Sequence, residues 1–273
     1  EMHSLEVLTP DMNGILRAKR IPRSEVETFF TAGIHGPASA PILNTLGDSC
    51  RPLGLGTVDG DPDRWMRPAC GTLAPIPWLQ SATHQALAYW TDDDRTILER
   101  DCRTVLARAL EPITELGLTV KVATELEFYL LAAATGPTPS PRLGRIPGTT
   151  LSQTGIQYCN PDDMTEFDGF LEAVRLACEA QGIPATTAIM EFAPGQFEVN
   201  VHYVDDVEQA CDHAVLLKRL IKGVAASQSM GATFMAKPFP DETGNGLHIH
   251  ISLYDEDGNN IFAEPASGRK PPV

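Results

Sequence analysis

The chain has 273 residues, six cysteines and a formal net charge of −15. This length allows two domains with a substantial core. The charge argues against nucleic acid as a partner, because phosphate binding requires a basic surface. No apolar run approaches the roughly 20 residues of a membrane span, no basic-then-apolar leader opens the chain, and the cysteines lack Cys-x-x-Cys spacing. We therefore expect a cytoplasmic protein without nucleic-acid or membrane partners.

The first ninety residues predict a small domain made mainly of strands. Short apolar runs at 5–8, 14–16 and 85–90 are separated by segments rich in Pro and Gly, and one compact helix is expected near 22–32. The acidic run from Thr91 to Asp94 offers N-caps for a following helix, in which apolar residues between Ile97 and Leu116 recur at helical spacing and Pro112 predicts a kink. We place the domain boundary there, giving domains at 1–93 and 94–273.

The second region alternates helices and strands. Helices are predicted at 165–181, ending at Gly182, and at 205–230, ending at Gly231. Strands are predicted at 119–131, 185–191, 196–203, 232–237 and 247–254, and Asp257-Gly258-Asn259 should turn the last strand into a hairpin. The segment 135–150 is rich in Gly, Pro, Thr and Ser, which is typical of a mobile loop.

Two of these strands carry metal-ligand side chains in alternation with apolar residues. Glu125-Leu126-Glu127 and His248-Ile249-His250 each place their polar side chains on one face, because successive strand residues point to opposite faces. Each pattern alone is also typical of a half-solvated strand. Two neighbouring carboxylates repel each other, however, unless a cation or proton neutralises them.

A turn between these strands supplies two more carboxylates. Pro194-Gly195 favours a tight turn joining a strand that ends near Glu191 to one that contains Glu198. Carboxylates with one or two imidazoles suit a hard divalent ion such as Mg²⁺ or Mn²⁺. A Zn²⁺ site would more often recruit Cys or additional His. The sequence therefore indicates a metal-dependent enzyme.

The order of these motifs resembles the glutamine synthetase family. The resemblance covers nearly the whole chain and includes an N-terminal segment similar to the opening of that family's small domain. The matching segments are Asp11-x-Asn13-Gly14-x-x-Arg17-Ala18-Lys19, Glu125-x-Glu127, Glu191-x-Ala193-Pro194-Gly195-Gln196-x-Glu198, Phe234-Met235-x-Lys237-Pro238 and the stretch from Gly244 to Leu253.

The resemblance implies an α+β fold, in which a small N-terminal β-grasp domain precedes a catalytic domain. The catalytic domain would contain a curved antiparallel sheet, or half barrel, flanked by helices. It also implies a ring-shaped homo-oligomer with active sites between subunits.

The resemblance further implies ATP, two divalent ions (Mg²⁺ or Mn²⁺) and glutamate as ligands. Family members transfer the γ-phosphoryl group of ATP to the glutamate γ-carboxylate, and an amine then displaces phosphate from γ-glutamyl phosphate. Two metals suit this chemistry, because phosphoryl transfer requires positioning and charge neutralisation. By motif position, one ion would be held by Glu127, Glu191 and Glu198, and the other by Glu125 and His248. The resemblance also assigns Glu191 and Glu198 to catalysis. The nucleotide would be contacted by Val201, His202, Tyr203, His250 and Ser252, and the glutamate by Gly244 and Asn245.

The chain departs from ordinary glutamine synthetases around the ammonium site. Ile189 and Met190 stand where the family commonly has two histidines, and Thr243 stands where it commonly has asparagine. The loop that contributes to the ammonium site from a neighbouring subunit has no clear counterpart, with Asn44 and Asp48 the nearest candidates. These departures resemble the branch that joins glutamate to polyamines or other organic amines. Tyr158 either borders that pocket or belongs to the core.

Family members also continue well beyond the position of Lys270 to Val273. That continuation would carry the arginines that clamp phosphate and glutamate, a sixth metal ligand and the flap over the substrate, so we expect five of the metal ligands here. An ATP-dependent ligase of glutamate and an organic amine or polyamine is the favoured function. An ordinary glutamine synthetase using ammonia, or a non-catalytic structural or regulatory relative, remains an alternative.

Overall fold

The computed structural model describes residues 2–49, 51–133 and 138–263 and has two sheets with helices packed against them. The predicted mobile loop at 135–150 falls partly on 134–137, and the chain end at Lys270–Val273 falls on 264–273; both stretches lie outside the described residues. The strands are β1 (Ser4–Pro10), β2 (Leu16–Pro22), β3 (Ile34–Pro37), β4 (Asp63–Pro68), β5 (Ala74–Pro75), β6 (Thr83–Thr91), β7 (Thr119–Leu131), β8 (Ala185–Met190), β9 (Gln196–Val204), β10 (Gly231–Thr233) and β11 (Leu247–Tyr254). The α-helices are α1 (Val26–Ala32), α2 (Cys102–Glu115), α3 (Pro161–Glu166), α4 (Asp168–Gln181) and α5 (Val207–Ser227).

The first sheet has the order β2-β1-β6-β4-β3, with β5 also paired to β6. Strands β1 and β6 are parallel and the other pairs are antiparallel. Leu5, Val7 and Leu8 are fully buried in β1, and Phe29 of α1 packs beneath the same sheet. The predicted small, strand-rich region with one helix near 22–32 is confirmed.

The second sheet is antiparallel throughout and carries the residues of interest. Its order is β10-β7-β9-β8, and β11 pairs with β7 along the edge that β10 leaves free. On the core side, Phe128, Phe197 and Phe170 form a fully buried aromatic group backed by α4 and α5. The predicted α+β class is confirmed.

Helix α2 does not begin where the sequence pattern predicted. Thr91 forms a bridge with Ile97, and the side chain of Asp94 accepts a hydrogen bond from the backbone N–H of Thr96, so the acidic run forms a turn. The helix starts at Cys102, where the Asp101 side chain accepts a hydrogen bond from the N–H of Arg103 and acts as the N-cap. Pro112 is accommodated inside the helix.

Other boundaries shift for local reasons. The helix predicted at 165–181 is two helices that meet at Phe167, and the first of them starts at Pro161 behind an Asn160 cap. Gly182 ends α4 in the left-handed conformation, as predicted. Helix α5 ends at Ser227, three residues before the predicted end. Strand β10 spans Gly231–Thr233, so it covers only the first two residues of the strand predicted at 232–237. The hairpin turn at 257–259 is confirmed by the Tyr254–Asn260 bridge.

The two sheets share packing through α5 and the residues around it. Leu8, Ala69 and Leu87 of the first region lie in the same core as the second sheet. Arg219 of α5 forms an ion pair with Glu6 of β1.

The domain boundary near residue 93 stays a prediction. Within the described parts of the chain, no helix is long and apolar enough to cross a membrane.

Candidate functional site

The register of the second sheet brings the alternating carboxylates and imidazoles together. His248 of β11 pairs directly with Glu125 of β7, and Glu127 pairs with Glu198 of β9. Directly paired residues in antiparallel strands project from the same face. Three strands therefore contribute to one acidic face, opposite the aromatic core.

The histidines lie within contact distance of this acidic face. His248 Nδ1 lies 3.2 Å from a Glu125 oxygen and 3.6 Å from a Glu198 oxygen. His250 Nε2 lies 3.2 Å from the other Glu125 oxygen. Both imidazoles are more than half exposed, whereas Glu198 is buried. The β11 side of the site is therefore open to solvent in the described chain.

The turn after β8 brings the fourth carboxylate into place. Gly195 has φ +77°, and a Cβ there would lie 2.6 Å from the Arg142 carbonyl oxygen, so glycine is required on two counts. The Glu191 N–H donates to the Gln196 carbonyl at 2.9 Å, which closes the turn. The result is two ligand groups that share Glu198. In each group the candidate ligand atoms lie within 4.8 Å of one another; the groups are Glu125, Glu198 and His248, and Glu127, Glu191 and Glu198.

Burial and neighbouring charges shift the pKa values of these carboxyls in different directions. Burial raises the pKa of Glu191, and the charges of Glu127 and Glu198 raise it further. Burial likewise raises the pKa of Glu198, with the Glu125 charge adding to it. Burial alone would raise the pKa of Glu125 as well, but hydrogen bonds from His250 and Asn200 outweigh it and the pKa is lowered.

This donor set fits divalent cations. Among the ion pairs of the described residues, none joins a lysine or arginine to any of the four glutamates. Oxygen donors with one imidazole are the ligands that Mg²⁺ and Mn²⁺ accept. A cation would offset the carboxylate repulsion that, together with burial, raises the pKa values of Glu191 and Glu198.

Gln196 belongs to the motif that contains Glu191 and Glu198, but the sequence predicted no role for it in the site. Its side chain is buried, and its Nε2 donates to a Glu127 oxygen at 3.1 Å, to the Gly244 carbonyl at 2.9 Å and to Asn245 Oδ1 at 3.1 Å. It thereby ties the acidic face to the segment predicted to bind glutamate. The signal was its position directly after the Pro-Gly turn, on the same strand face as Glu198.

The segment 244–246 approaches the acidic face closely. Asn245 Nδ2 donates to the Met235 carbonyl at 2.8 Å, which fixes the loop that precedes β11. A Cβ at Gly246 would lie 2.7 Å from a Glu127 oxygen, so only glycine permits this approach without a shift. Gly244 and Asn245 are thus held beside Glu127, and their contact with a substrate stays a prediction.

The residues predicted to contact a nucleotide lie toward the far end of the same strands. His250 and Ser252 continue the polar face of β11, and His202 and Tyr203 are exposed at the end of β9. The Val201 side chain lies in the hydrophobic core instead, so it faces away from the other four. Lys121 Nζ lies 5.4 Å and 4.8 Å from the ring centroids of Tyr203 and Tyr254, which adds aromatic surface near this end.

The residues that differ from the family pattern around the expected ammonium site lie in different parts of the structure. Ile189 pairs with Glu198 and therefore shares its face, whereas Met190 pairs with Phe197 and is fully buried. The Thr243 carbonyl accepts a hydrogen bond from the Tyr129 hydroxyl at 2.6 Å. Asn44 and Asp48 are joined to each other in one exposed turn.

Tyr158 is not a core residue. It is half exposed and stacks on Phe192, the residue directly after Glu191, with ring centroids 4.8 Å apart. The neighbouring side chains of Cys159 and then Glu191 raise the pKa of the Tyr158 hydroxyl. The aromatic pair therefore stands beside the acidic groups.

Comparison with known proteins agrees with this geometry. Residues 99–270 match the glutamine synthetase catalytic domain. The chain is 36% identical over 269 residues to gamma-glutamylputrescine synthetase PuuA of Escherichia coli (strain K12), covering 98% of this chain and 57% of that protein. It is 30% identical over 275 residues to glutamate–isopropylamine ligase of a Pseudomonas species, covering 97% and 58%.

A solved structure of a glutamine synthase homolog superposes with a TM-score of 0.81 at 20% identity, covering 98% of this chain and 59% of that one, which supports the fold. The chain thus spans somewhat more than half the length of the relatives it matches. With most of its length matched by the catalytic-domain family and 36% identity to a curated relative, the chain belongs to the glutamine synthetase family.

Proposed function

We propose that the full-length protein containing this chain is an ATP-dependent ligase that joins the γ-carboxylate of glutamate to an organic amine. The observation that carries the proposal is the pair of carboxylate-rich ligand groups that share Glu198, built on three strands. Two relatives that cover nearly the whole chain are named for putrescine and isopropylamine, which supports an organic amine over ammonia.

The acidic groups would hold two divalent cations, with Glu127, Glu191 and Glu198 around one and Glu125, Glu198 and His248 around the other. When bound, such cations neutralise phosphate oxygens during phosphoryl transfer. Gln196 orients Glu127 through its hydrogen bond and holds the 244–245 segment beside it. His202, Tyr203, His250 and Ser252 would line the nucleotide end, and the backbone at Gly244 the glutamate end.

The reaction would proceed in two balanced steps. The γ-phosphoryl group of ATP passes to a glutamate γ-carboxylate oxygen, which releases ADP and gives γ-glutamyl phosphate. The amine nitrogen then attacks the γ-carbonyl carbon, phosphate leaves with the C–O bonding pair, and the nitrogen loses a proton. The negative face formed by Glu191 and Glu198 would attract a protonated amine toward this carbon. Such an amine gives up one proton before its nitrogen can attack, because only the neutral nitrogen has a lone pair, and it gives up the second proton after the attack.

Assembly and location complete the proposal. We expect a ring-shaped homo-oligomer with active sites between subunits, as the family resemblance implies, and a cytoplasmic location, as the scattered cysteines suggest.

The test measures phosphate release by the full-length protein with ATP, Mg²⁺ and glutamate. Ammonia, putrescine, isopropylamine, ethanolamine and n-butylamine are compared as acceptors, with Glu127→Ala as the inactive control. We expect organic amines to give the higher kcat/KM. A higher kcat/KM for ammonia would make the protein an ordinary glutamine synthetase. If no acceptor gives phosphate release, the protein is a non-catalytic relative.

A further inference from the structure

An exposed aromatic pair stands at the edge of the acidic face. Tyr158 is 52% exposed and Phe192 is 48% exposed, and their rings stack with an interplanar angle of 23°. Neither ring belongs to a hydrophobic core of the described residues. Adjacent aromatic rings left in solvent next to a polar site are typical of a surface that a ligand covers.

The backbone holds the two rings in position. The N–H of Gln157 donates to the Phe192 carbonyl at 3.3 Å, and the N–H of Cys159 donates to the Met190 carbonyl at 3.0 Å. The segment around Tyr158 therefore runs beside the end of β8. Asn160 Nδ2 also donates to Gln157 Oε1 at 2.8 Å, which anchors this segment to the start of α3. The rings are thus placed before any ligand arrives.

The chemistry beside the pair changes from acidic to apolar within a few residues. Glu191 immediately precedes Phe192 and belongs to one of the acidic groups. Ile189 shares the face of Glu198, one strand away. A ligand that complements such a boundary carries a cationic nitrogen and a carbon chain. An ammonium ion offers the charge but has no carbon atoms to cover the rings.

We propose that the Tyr158–Phe192 pair selects a primary alkylamine over ammonia as the acceptor of the glutamyl group. This inference rests on the proposed ligase function and specifies its second substrate. The methylenes next to the amine nitrogen pack on the exposed ring of Phe192, with Tyr158 supporting that ring from behind. Each methylene removed from water should improve binding by roughly fourfold, and an aromatic face also attracts an alkylammonium cation.

The test compares n-butylamine with ammonia in the full-length protein at saturating ATP, Mg²⁺ and glutamate. Phe192→Ala should raise KM for n-butylamine by about tenfold or more, while KM for ammonia, glutamate and ATP stays within about twofold. Phe192→Tyr should restore the n-butylamine KM, because it restores the ring. Phe30→Ala is the matched control, since Phe30 is a similarly exposed phenylalanine on α1 of the first region.

Binding measured without turnover provides a second readout. Calorimetric titration of n-butylamine into protein containing ADP, Mg²⁺ and glutamate should show weaker binding in Phe192→Ala than in Phe30→Ala. If Phe192→Ala unfolds at the assay temperature, Phe192→Leu takes its place, because it keeps an apolar side chain but removes the ring. We expect it also to raise the n-butylamine KM.

The outcomes separate this inference from the proposed function. In one case the wild type turns over organic amines while Phe192→Ala changes KM equally for ammonia and n-butylamine, or changes neither. Either result would overturn the role of the aromatic pair and leave the ligase function intact. Absence of turnover by the wild type with every acceptor would overturn the ligase function and this inference together.

Discussion

Two buried glutamates, one in each sheet, have opposite surroundings. Glu6 of β1 is paired with Arg20 and with Arg219 of α5. Glu198 of β9 receives a hydrogen bond from Asn200 and faces other carboxylates and one imidazole. Burial would raise the pKa of both side chains. The hydrogen bonds and charges of the two arginines outweigh burial at Glu6 and lower its pKa, whereas at Glu198 the Glu125 charge adds to burial and the pKa is raised.

The difference separates a carboxylate whose charge is balanced within the chain from one that lies among like charges. Glu6 has its counter-charges within the chain, and its ion pair with Arg219 connects the first sheet to a helix that packs on the second. Glu198 has no lysine or arginine partner among the described residues, and under the proposed function a bound cation would supply its counter-charge. The same residue type thus stabilises the fold in one sheet and, under the proposed function, would bind a cation in the other.

Glu198→Gln in the full-length protein should produce the largest effect, a fall in kcat of at least about 100-fold. The amide keeps the size of the side chain but removes a charge that both ligand groups share, and losing several kcal/mol of charge stabilisation corresponds to such a factor. The measurement is phosphate release under saturating substrates. Glu6→Gln is the matched control and should retain kcat in the folded fraction. Equal losses in both variants would contradict the distinction.

Cation binding should stabilise the protein through Glu198 and not through Glu6. Mg²⁺ at about 100 times its Kd should raise the free energy of unfolding by about 2.7 kcal/mol, because it binds only the folded state. Urea denaturation with Mg²⁺ or with EDTA measures this gain. The gain should persist in Glu6→Gln and shrink strongly in Glu198→Gln. A full gain in Glu198→Gln would place the cation elsewhere.

Without divalent cations, the stability effects of the two substitutions should differ. Glu6→Gln should lower the free energy of unfolding by about 2 kcal/mol, because it leaves the partly buried charge of Arg219 and the exposed charge of Arg20 without their partner. Glu198→Gln should cost nothing or stabilise slightly, because it removes repulsion among carboxylates. Urea denaturation in EDTA at pH 7 compares them. A larger loss in Glu198→Gln would show that the acidic groups already have a counter-charge.

The sequence predicted where the strands of the second sheet lie better than it predicted which residues pair between them. Alternation of polar and apolar residues located β7 and β11 closely, because a strand with one buried face repeats every second residue. The pairing of His248 with Glu125, and of Glu127 with Glu198, depends on register, which the pattern of a single strand does not contain. The order of family motifs supplied that grouping.

Other features depended on contacts that a local pattern does not reveal. Thr91 to Asp94 and Asp101 both offer side chains suited to an N-cap, and the bridge from Thr91 to Ile97 decides between them. Gln196 was noted only as part of a motif, because its three hydrogen-bond acceptors lie in other segments of the chain. The Tyr158–Phe192 stack joins two loops 34 positions apart. Each of these features is set by tertiary structure.

The smallest expected effect is the pH dependence of the Glu6 contribution. The folded-state pKa of Glu6 lies below its ordinary value of 4.5, so the unfolded chain binds the proton more readily. The stability that ionised Glu6 contributes is therefore present above about pH 4.5 and is lost as the pH falls through the lowered folded-state pKa. The difference in free energy of unfolding between wild type and Glu6→Gln, measured in urea with EDTA, should be largest near neutral pH and should diminish below pH 4.5. A difference that grows as the pH falls would mean that Glu6 is stabilised in its protonated form, and the contrast with Glu198 would then fail.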